Sequence, residues 1–212
     1  MVSPSNTAKI LKMPDPTASR RIGNVKRVRT VVEKKLFSLM DGLAFNVAEA
    51  LFEEMSHLDE KSALECHFNI MRAFKTEGER LQDAMRHQMN FSWLALIQGK
   101  DEQPIPDAPY DVTSVLKAYS DKNMNHYKIL LEEVRMHFSE IAGADLSFHP
   151  LLPGNFFLSF WHATEALSVS YQERKLVLPL FNRFVMDRFG QIVGLGNQVL
   201  SEMEPSEDTS DS

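Results

Sequence analysis

From Val31 onward, apolar side chains return every three or four residues: Leu36, Met40, Leu43, Val47, Leu51 and Met55. Phe37, Ala44, Ala48 and Phe52 widen this stripe, while Glu49, Glu53 and Glu54 lie off it. One apolar return per turn is the signature of an amphipathic helix, and it predicts a first helix from Val31 to about Met55. A second is predicted from Asp59, a good N-cap, to Gln98. Its stripe is Leu64, Phe68, Met71, Phe74, Leu81, Met85 and Met89, and Gly99 follows at the C′ position. "DEQPIPDAP", with Pro104, Pro106 and Pro109, reads as a loop.

Asp111 is placed to cap a third helix. Val115, Tyr119, Tyr127, Leu130, Val134, Phe138 and Ile141 mark its buried side, and Gly143 ends it. Asp121, Lys122 and Asn123 make a polar gap in its middle. Beyond "HPLLPGN", a short aromatic helix holds Phe156, Phe157, Phe160, Trp161 and Leu167. The last helical run extends from Leu176 to Met203, through Val177, Leu180, Phe181, Phe184, Val185, Phe189, Ile192 and Val199. Pro179 lacks a backbone donor and costs roughly 3 kcal/mol inside a helix, so a kink or a start near Leu178 is expected. No segment alternates with period two. The expectation is an all-α bundle of about five helices, mostly antiparallel. Two of the helices are long enough to reach past one core, which makes a homodimer the expected assembly.

Composition supports this picture. Among 212 residues there are 9 glycines and 11 methionines, a pairing that favours helices over turn-rich sheets. The single cysteine, Cys66, has no internal disulfide partner, which fits a reducing compartment. No apolar run approaches the roughly 20 residues needed to span a bilayer. With no apolar leader at the N-terminus either, a cytoplasmic location is expected.

Charge changes the picture more. The net charge is −6. Residues 1–35 nevertheless carry Lys9, Lys12, Arg20, Arg21, Lys26, Arg27, Arg29, Lys34 and Lys35 against Asp15 and Glu33. The far end carries Glu202, Glu204, Glu207, Asp208 and Asp211 with no base. Like-charged ends of this kind usually stay solvated. The expected organisation is a flexible basic arm over 1–30, a helical bundle over 31–203 and a disordered acidic tail over 204–212.

Little in the sequence points to reaction chemistry. "EMSH", Glu54 to His57, has the Glu-x-x-His spacing of di-iron bundles, but those need two copies and two further glutamates. Cys66 and His67 are adjacent and diverge by about 100° on a helix. None of the seven histidines, His162 in the aromatic helix included, stands in a nucleophile signature. "GQIVGLG", Gly190 to Gly196, lacks the strand and the Lys-Ser/Thr of a phosphate loop. Gly190 and Gly194 are better read as sites of close helix approach. No catalytic residue, metal or cofactor is expected.

Two surfaces are candidates for binding. The strip "RRIGNVKRVR" supplies Arg20, Arg21, Lys26, Arg27 and Arg29. It reads as a solvated arm, as a dock for an acidic protein surface or the chain's own tail, or as a contact for nucleic-acid phosphates or lipid headgroups. It holds no aromatic residue for base stacking. The second candidate is an apolar groove formed by Met85, Met89, Phe91 and Trp93, of the kind that takes a partner helix. The residues support a non-catalytic regulatory or scaffolding protein acting through protein–protein binding. The alternative is a nucleic-acid-associated regulator that uses the basic arm.

Three stretches also resemble the bacterial family catalogued as domain of unknown function 1631. "LFEEMSHLDEKSALECHFNIMRAFKTEGERLQDAM" is similar to the family's opening run, with Phe68, Met71 and Arg72 at matching places. "HPLLPGNFFLSFWHATEAL" and "RKLVLPLFNRFVMDRFGQIVGLGNQVL" resemble its later segments, the latter through Leu176, Val177, Leu178, Leu180, Phe181, Arg183, Val185 and Gly190. The resemblance spans roughly residues 36–203. Family members are usually several times longer, and some are linked with PilZ domains that bind cyclic-di-GMP. The resemblance therefore implies a role in signalling or motility control. The Arg-x-x-x-Arg and Asp-x-Ser-x-x-Gly of a PilZ domain do not occur in this chain. The label thymidine phosphorylase, often attached to the family, does not suit a chain without the mixed sheet and phosphate-binding glycines of such an enzyme.

Overall fold

The structure is a computed structural model and describes residues 16–55 and 61–203. Over those residues the chain forms seven α-helices and two single 3₁₀ turns, with no strand. The helices are α1 (Pro16–Met55), α2 (Lys61–Ile97), α3 (Tyr110–His126), α4 (Lys128–Ala142), α5 (Pro153–Ala163), α6 (Tyr171–Phe184) and α7 (Phe189–Ser201). The all-α bundle expected from periodicity is what the chain forms.

The two long helices make an antiparallel hairpin. The Asn90 Oδ1 accepts from Arg29 Nη1 at 2.7 Å, and Gln82 Nε2 donates to Asp41 Oδ1 at 2.7 Å. The Arg86 guanidinium lies 4.3 Å over the Phe37 ring. α5 packs on α2, and α7 packs on both α1 and α4. The aromatic helix is core, as its composition predicts: Phe156, Phe157, Phe160 and Trp161 are buried, and Phe160 stacks on Phe181 at 3.9 Å between ring centroids. Arg174 closes this region from outside. It lies 4.1 Å over the Trp161 ring and donates to the Trp161 carbonyl and to Thr164 Oγ1.

Helix ends follow local chemistry. Gly99 and Gly143, at φ +68° and +70°, sit in the left-handed region that glycine enters without a Cβ penalty. After α2, the N–H of Lys100 reaches the Ala95 carbonyl and that of Gly99 the Leu96 carbonyl. Ala144 and Gly143 repeat the pattern on Ser139 and Glu140. Both are Schellman caps, which satisfy carbonyls that a helix end leaves open.

Several boundaries differ from expectation. α1 begins at Pro16, not Val31, so residues 16–30 are not an arm. Val25, Val28 and Val32 continue the apolar stripe and are fully buried; the cationic residues between them had hidden it. The rest of the expected arm, the acidic tail, the Asp59 cap and His57 lie outside the described residues. Asp111 is not a cap: Pro109 takes that position, and Asp111 accepts from the Tyr171 hydroxyl at 2.5 Å and from Lys175. The third expected helix divides at Tyr127, the residue joining α3 to α4. The last one divides into α6 and α7 around the 3₁₀ turn Met186–Arg188.

α6 also starts earlier than Leu176. Ser170 and Glu173 form a reciprocal capping box ahead of it, and Pro179 is accommodated inside the helix. Glycine does allow close approach in α7, but at Gly190 and Gly196. An added Cβ at Gly194 would meet nothing within 4 Å.

Candidate functional site: the outer edge of the α1–α2 hairpin

The apolar groove does not exist as a surface. Met85, Met89 and Trp93 are buried at 1% exposure or less, and only Phe91 reaches solvent. Their spacing along α2 is the core stripe itself, which sequence periodicity cannot tell from a binding stripe.

The cationic strip is divided by the helix that carries it. Arg29 is tied by Glu33 at 2.7 Å and by Asn90. Arg21 is half-buried, with its Nη2 3.8 Å from where a Cβ on Gly143 would stand. Its Nε is buried and has no hydrogen-bond partner among the described residues. Arg20, Lys26 and Arg27 face solvent, and so does Lys34 one turn beyond the strip.

Arg20, Arg27 and Lys34 are seven residues apart, close to two helical turns, so they form one line along the outside of α1. Phe45 continues that line eleven residues on, close to three turns, and Phe52 follows seven further. Both aromatic rings are on the surface, with 84% and 66% of their area exposed. The axial distance from Arg20 to Phe52 is about 48 Å at 1.5 Å per residue. Asp41, hydrogen-bonded to Gln82, lies beside the line where its cationic half meets its aromatic half.

α2 adds a third ring. Phe68, 57% exposed, lies fourteen residues before Gln82, almost four turns back along α2. Phe52 lies eleven residues after Asp41. Because Asp41 and Gln82 touch, Phe52 and Phe68 share the same edge of the hairpin, within about one turn in level. Phe52 and Phe68 fall on the apolar stripes that predict α1 and α2, yet both are exposed. The signal that could have separated them is their angular offset from the fully buried Val47, Leu51 and Ile70.

Between α1 and α6, a cleft of about 190 Å³ is lined by Asn46, Glu49, Ala50, Glu53, Arg183 and Phe184. It is smaller than the range typical of small-molecule sites. Among the described residues, no group of three or more His, Cys, Asp or Glu side chains is placed to hold a metal ion. No helix among them is long and apolar enough to cross a membrane.

The buried polar groups lie elsewhere. His149 is buried, and desolvation pushes its imidazole down to about 3. Its carbonyl accepts from Asn155 Nδ2 at 3.0 Å, and Ser92 Oγ donates to Asn155 Oδ1 at 3.3 Å. His162 Nε2 meets the Pro106 carbonyl at 2.9 Å.

Residues 23–204 match the family model described as "Protein of unknown function (DUF1631) N-terminal domain". The chain belongs to this family. The match includes all of α2 to α7 and α1 from Gly23 onward, so most of the cationic and aromatic edge falls inside the DUF1631 N-terminal domain. No curated protein and no solved structure matches the chain.

Proposed function

We propose that this DUF1631 protein is a non-catalytic regulatory or scaffolding protein that works by holding another protein along the outer edge of its α1–α2 hairpin. The observation that carries the reading is the line of Arg20, Arg27, Lys34, Phe45 and Phe52, with Phe68 beside its aromatic end. Exposed aromatic rings grouped on one face of a folded domain mark interaction surfaces. The fitting partner is a helix with apolar side chains for the rings and carboxylates for the cationic half. Its setting is the bacterial cytoplasm, in signalling or motility control, as the family resemblance implies. A homodimer through the same aromatic rings is the competing assembly. It would bring the cationic lines of two copies together unless the copies ran antiparallel.

A specific observation also favours the second reading, contact with nucleic-acid phosphates. Arg20, Lys26, Arg27 and Lys34 have no ion-pair partner among the described residues. Against it, no aromatic side chain stands among them for base stacking.

One experiment separates the readings. Proteins captured from lysate by the wild-type chain are compared with those captured by Phe45→Ser/Phe52→Ser/Phe68→Ser. The proposal expects a captured protein that the triple variant loses, and an identical captured set would overturn it. Sedimentation of the pure chain reports the homodimer. A gel shift that weakens steeply with salt and disappears in Arg20→Glu/Arg27→Glu/Lys34→Glu would support the nucleic-acid reading.

A further inference from the structure

We propose that a second copy of the chain, running antiparallel, covers the outer edge of α1 in the pure protein, the cationic half of each copy lying on the acidic and aromatic half of the other. The inference rests on the reading of this edge as an interface and adds how the edge is regulated: another protein binds there by displacing the second copy.

Charge is the first argument. Glu33 is the sole acidic residue between Ser19 and Met40, amid the Arg and Lys of the strip, and it is taken by Arg29. From Asp41 to Glu53 the order reverses, with Asp41, Glu49 and Glu53 and no base. The outer side of α1 is therefore cationic at one end and acidic at the other. A parallel second copy sets like charges side by side, and an antiparallel one sets opposite charges side by side.

Register is the second argument. Ser38 faces solvent midway along the edge. Arg27 and Glu49 lie eleven residues before and after it, close to three turns. Val31 and Phe45 lie seven residues away, close to two turns, and Asn24 and Phe52 fourteen, close to four. All six share the face of Ser38. A twofold axis through Ser38 makes the contact isologous. It brings Arg27 of one copy level with Glu49 of the other, Phe45 with Val31 and Phe52 with Asn24. Lys34 comes level with Gly42, beside Asp41. A Cβ at Gly42 would meet nothing within 4 Å, which leaves room for the lysine stem.

The aromatic rings then cover the cations. Phe68, about one turn beyond Phe52, comes level with Arg20 of the other copy. A guanidinium over a ring face is a favourable contact, and the fold already uses it where Arg86 covers Phe37 and Arg174 covers Trp161. The exposed parts of Phe45, Phe52 and Phe68 amount to roughly 400 Å² per copy, at about 200 Å² for a whole aromatic side chain. With the Arg and Lys stems buried beneath the partner's rings, each copy approaches the roughly 800 Å² of a standard interface.

Sedimentation of the pure full chain over a dilution series, with a pair of charge reversals, tests this. The wild-type chain should form a dimer that dissociates on dilution. Arg27→Glu alone and Glu49→Arg alone each place two like-charged pairs across the twofold axis, and each should weaken the dimer about tenfold. An equal mixture of the two variants restores one native and one reversed pair, and should dimerise as tightly as wild type. Both side chains are exposed, so the variants should keep the wild-type unfolding midpoint. A chain that stays monomeric at every concentration would overturn the inference. So would a dimer indifferent to both reversals, or a mixture no tighter than its components, since a pairing of rings on rings or through another face gives those results. The outcome is separable from that of the lysate capture. A monomeric chain that still captures a protein through its aromatic edge sinks this inference alone, and a dimer that obeys the charge exchange while nothing is captured sinks the partner reading alone.

Discussion

Gly190 and Tyr127 touch so closely that a Cβ at position 190 would stand 2.5 Å from Tyr127 Cε1. The ring cannot easily retreat. It meets Phe189 edge-on with centroids 5.7 Å apart, and it belongs to the residue joining α3 to α4. Gly190→Ala should therefore destabilise the fold by about 1–3 kcal/mol, as overpacking does, despite alanine's better helix propensity. Thermal or urea unfolding measures this. In a Tyr127→Ala background the cost should largely vanish, because that substitution removes the obstructing ring.

His149 makes stability depend on pH. Its folded-state imidazole is pushed down from 6.5 to about 3 by burial, and the Arg135 charge adds to the effect. A base whose folded pKa is depressed stays neutral in the native state while the unfolded chain takes up a proton. Stability is then unaffected above about pH 6.5 and is lost as pH falls from there towards 3. The slope approaches roughly 1.4 kcal/mol per pH unit. His149→Phe keeps an aromatic ring beside Phe138 and should flatten the loss between pH 6.5 and 5, above the range where carboxylates titrate. Urea midpoints of the two proteins at pH 7, 6 and 5 check the difference.

Asp101 holds two loops together. Its carboxylate accepts from the N–H of Ser147 at 2.7 Å, the N–H of Phe148 at 2.6 Å and the Ser147 hydroxyl at 2.8 Å. The Phe148 bond is the largest cause of a carboxyl pKa held below its usual value. Asp101→Ala should cost about 1 kcal/mol, the net worth of a hydrogen bond to a half-solvated group. Asp101→Asn should recover part of it. Since the folded pKa is depressed, the contribution is full above about pH 4 and disappears as pH falls through the folded value. Amide exchange at Ser147 and Phe148 should speed up in the alanine variant, giving a local readout beside global unfolding.

Ser170 and Glu173 offer a test of a buried acid. Glu173 Oε2 accepts from the Ser170 N–H at 2.6 Å, and Oε1 accepts from Asn69 Nδ2 at 2.9 Å. Burial alone would raise the Glu173 carboxyl, yet the Ser170 N–H and the Asn69 amide outweigh it and hold the carboxyl below its usual value. Ser170→Ala removes one capping acceptor and should cost about 1 kcal/mol. Glu173→Gln keeps an acceptor for one of these donors and sets an amide NH₂ against the other. It should cost more, about 1–3 kcal/mol, and urea unfolding ranks the two.

The fold was legible because one apolar residue per turn is a redundant signal. Losing Val115 to the surface and gaining Val112 and Leu116 moves a boundary without changing the class. Breaks were less legible. Nothing in the local pattern around Tyr127 announces that its ring must meet Phe189 and Gly190, sixty residues away. The start of α6 falls before the expected Leu176, although Ser170 and Glu173 have capping-box spacing. The start of α1 was obscured because Lys26, Arg27 and Arg29 alternate with buried valines, and charge dominates a reading by composition. The exposed aromatic edge was the least legible. Phe52 and Phe68 are apolar and lie near the stripe, and only the packing of α1 on α2 shows which rings face outward.

Burial and exposure now make opposite demands on residues of similar apolar character. Met85 and Trp93 are fully buried, and Trp93 meets Phe138 edge-on with centroids 6.3 Å apart. Met85→Ala should cost about 2–5 kcal/mol and Trp93→Ala about 3–5 kcal/mol, each through a cavity that rigid neighbours cannot fill. Phe45→Ser and Phe52→Ser remove rings that are mostly in water, so each should fall within about 0.5 kcal/mol of the parent. Under the proposed function their effect belongs to binding. If Phe52→Ser instead unfolded the domain as Trp93→Ala does, the ring would be a core element and the outer edge of the hairpin would lose its claim to be an interface. Unfolding curves for the four variants, set beside their capture of a partner, decide which residues hold the fold and which wait for something to cover them.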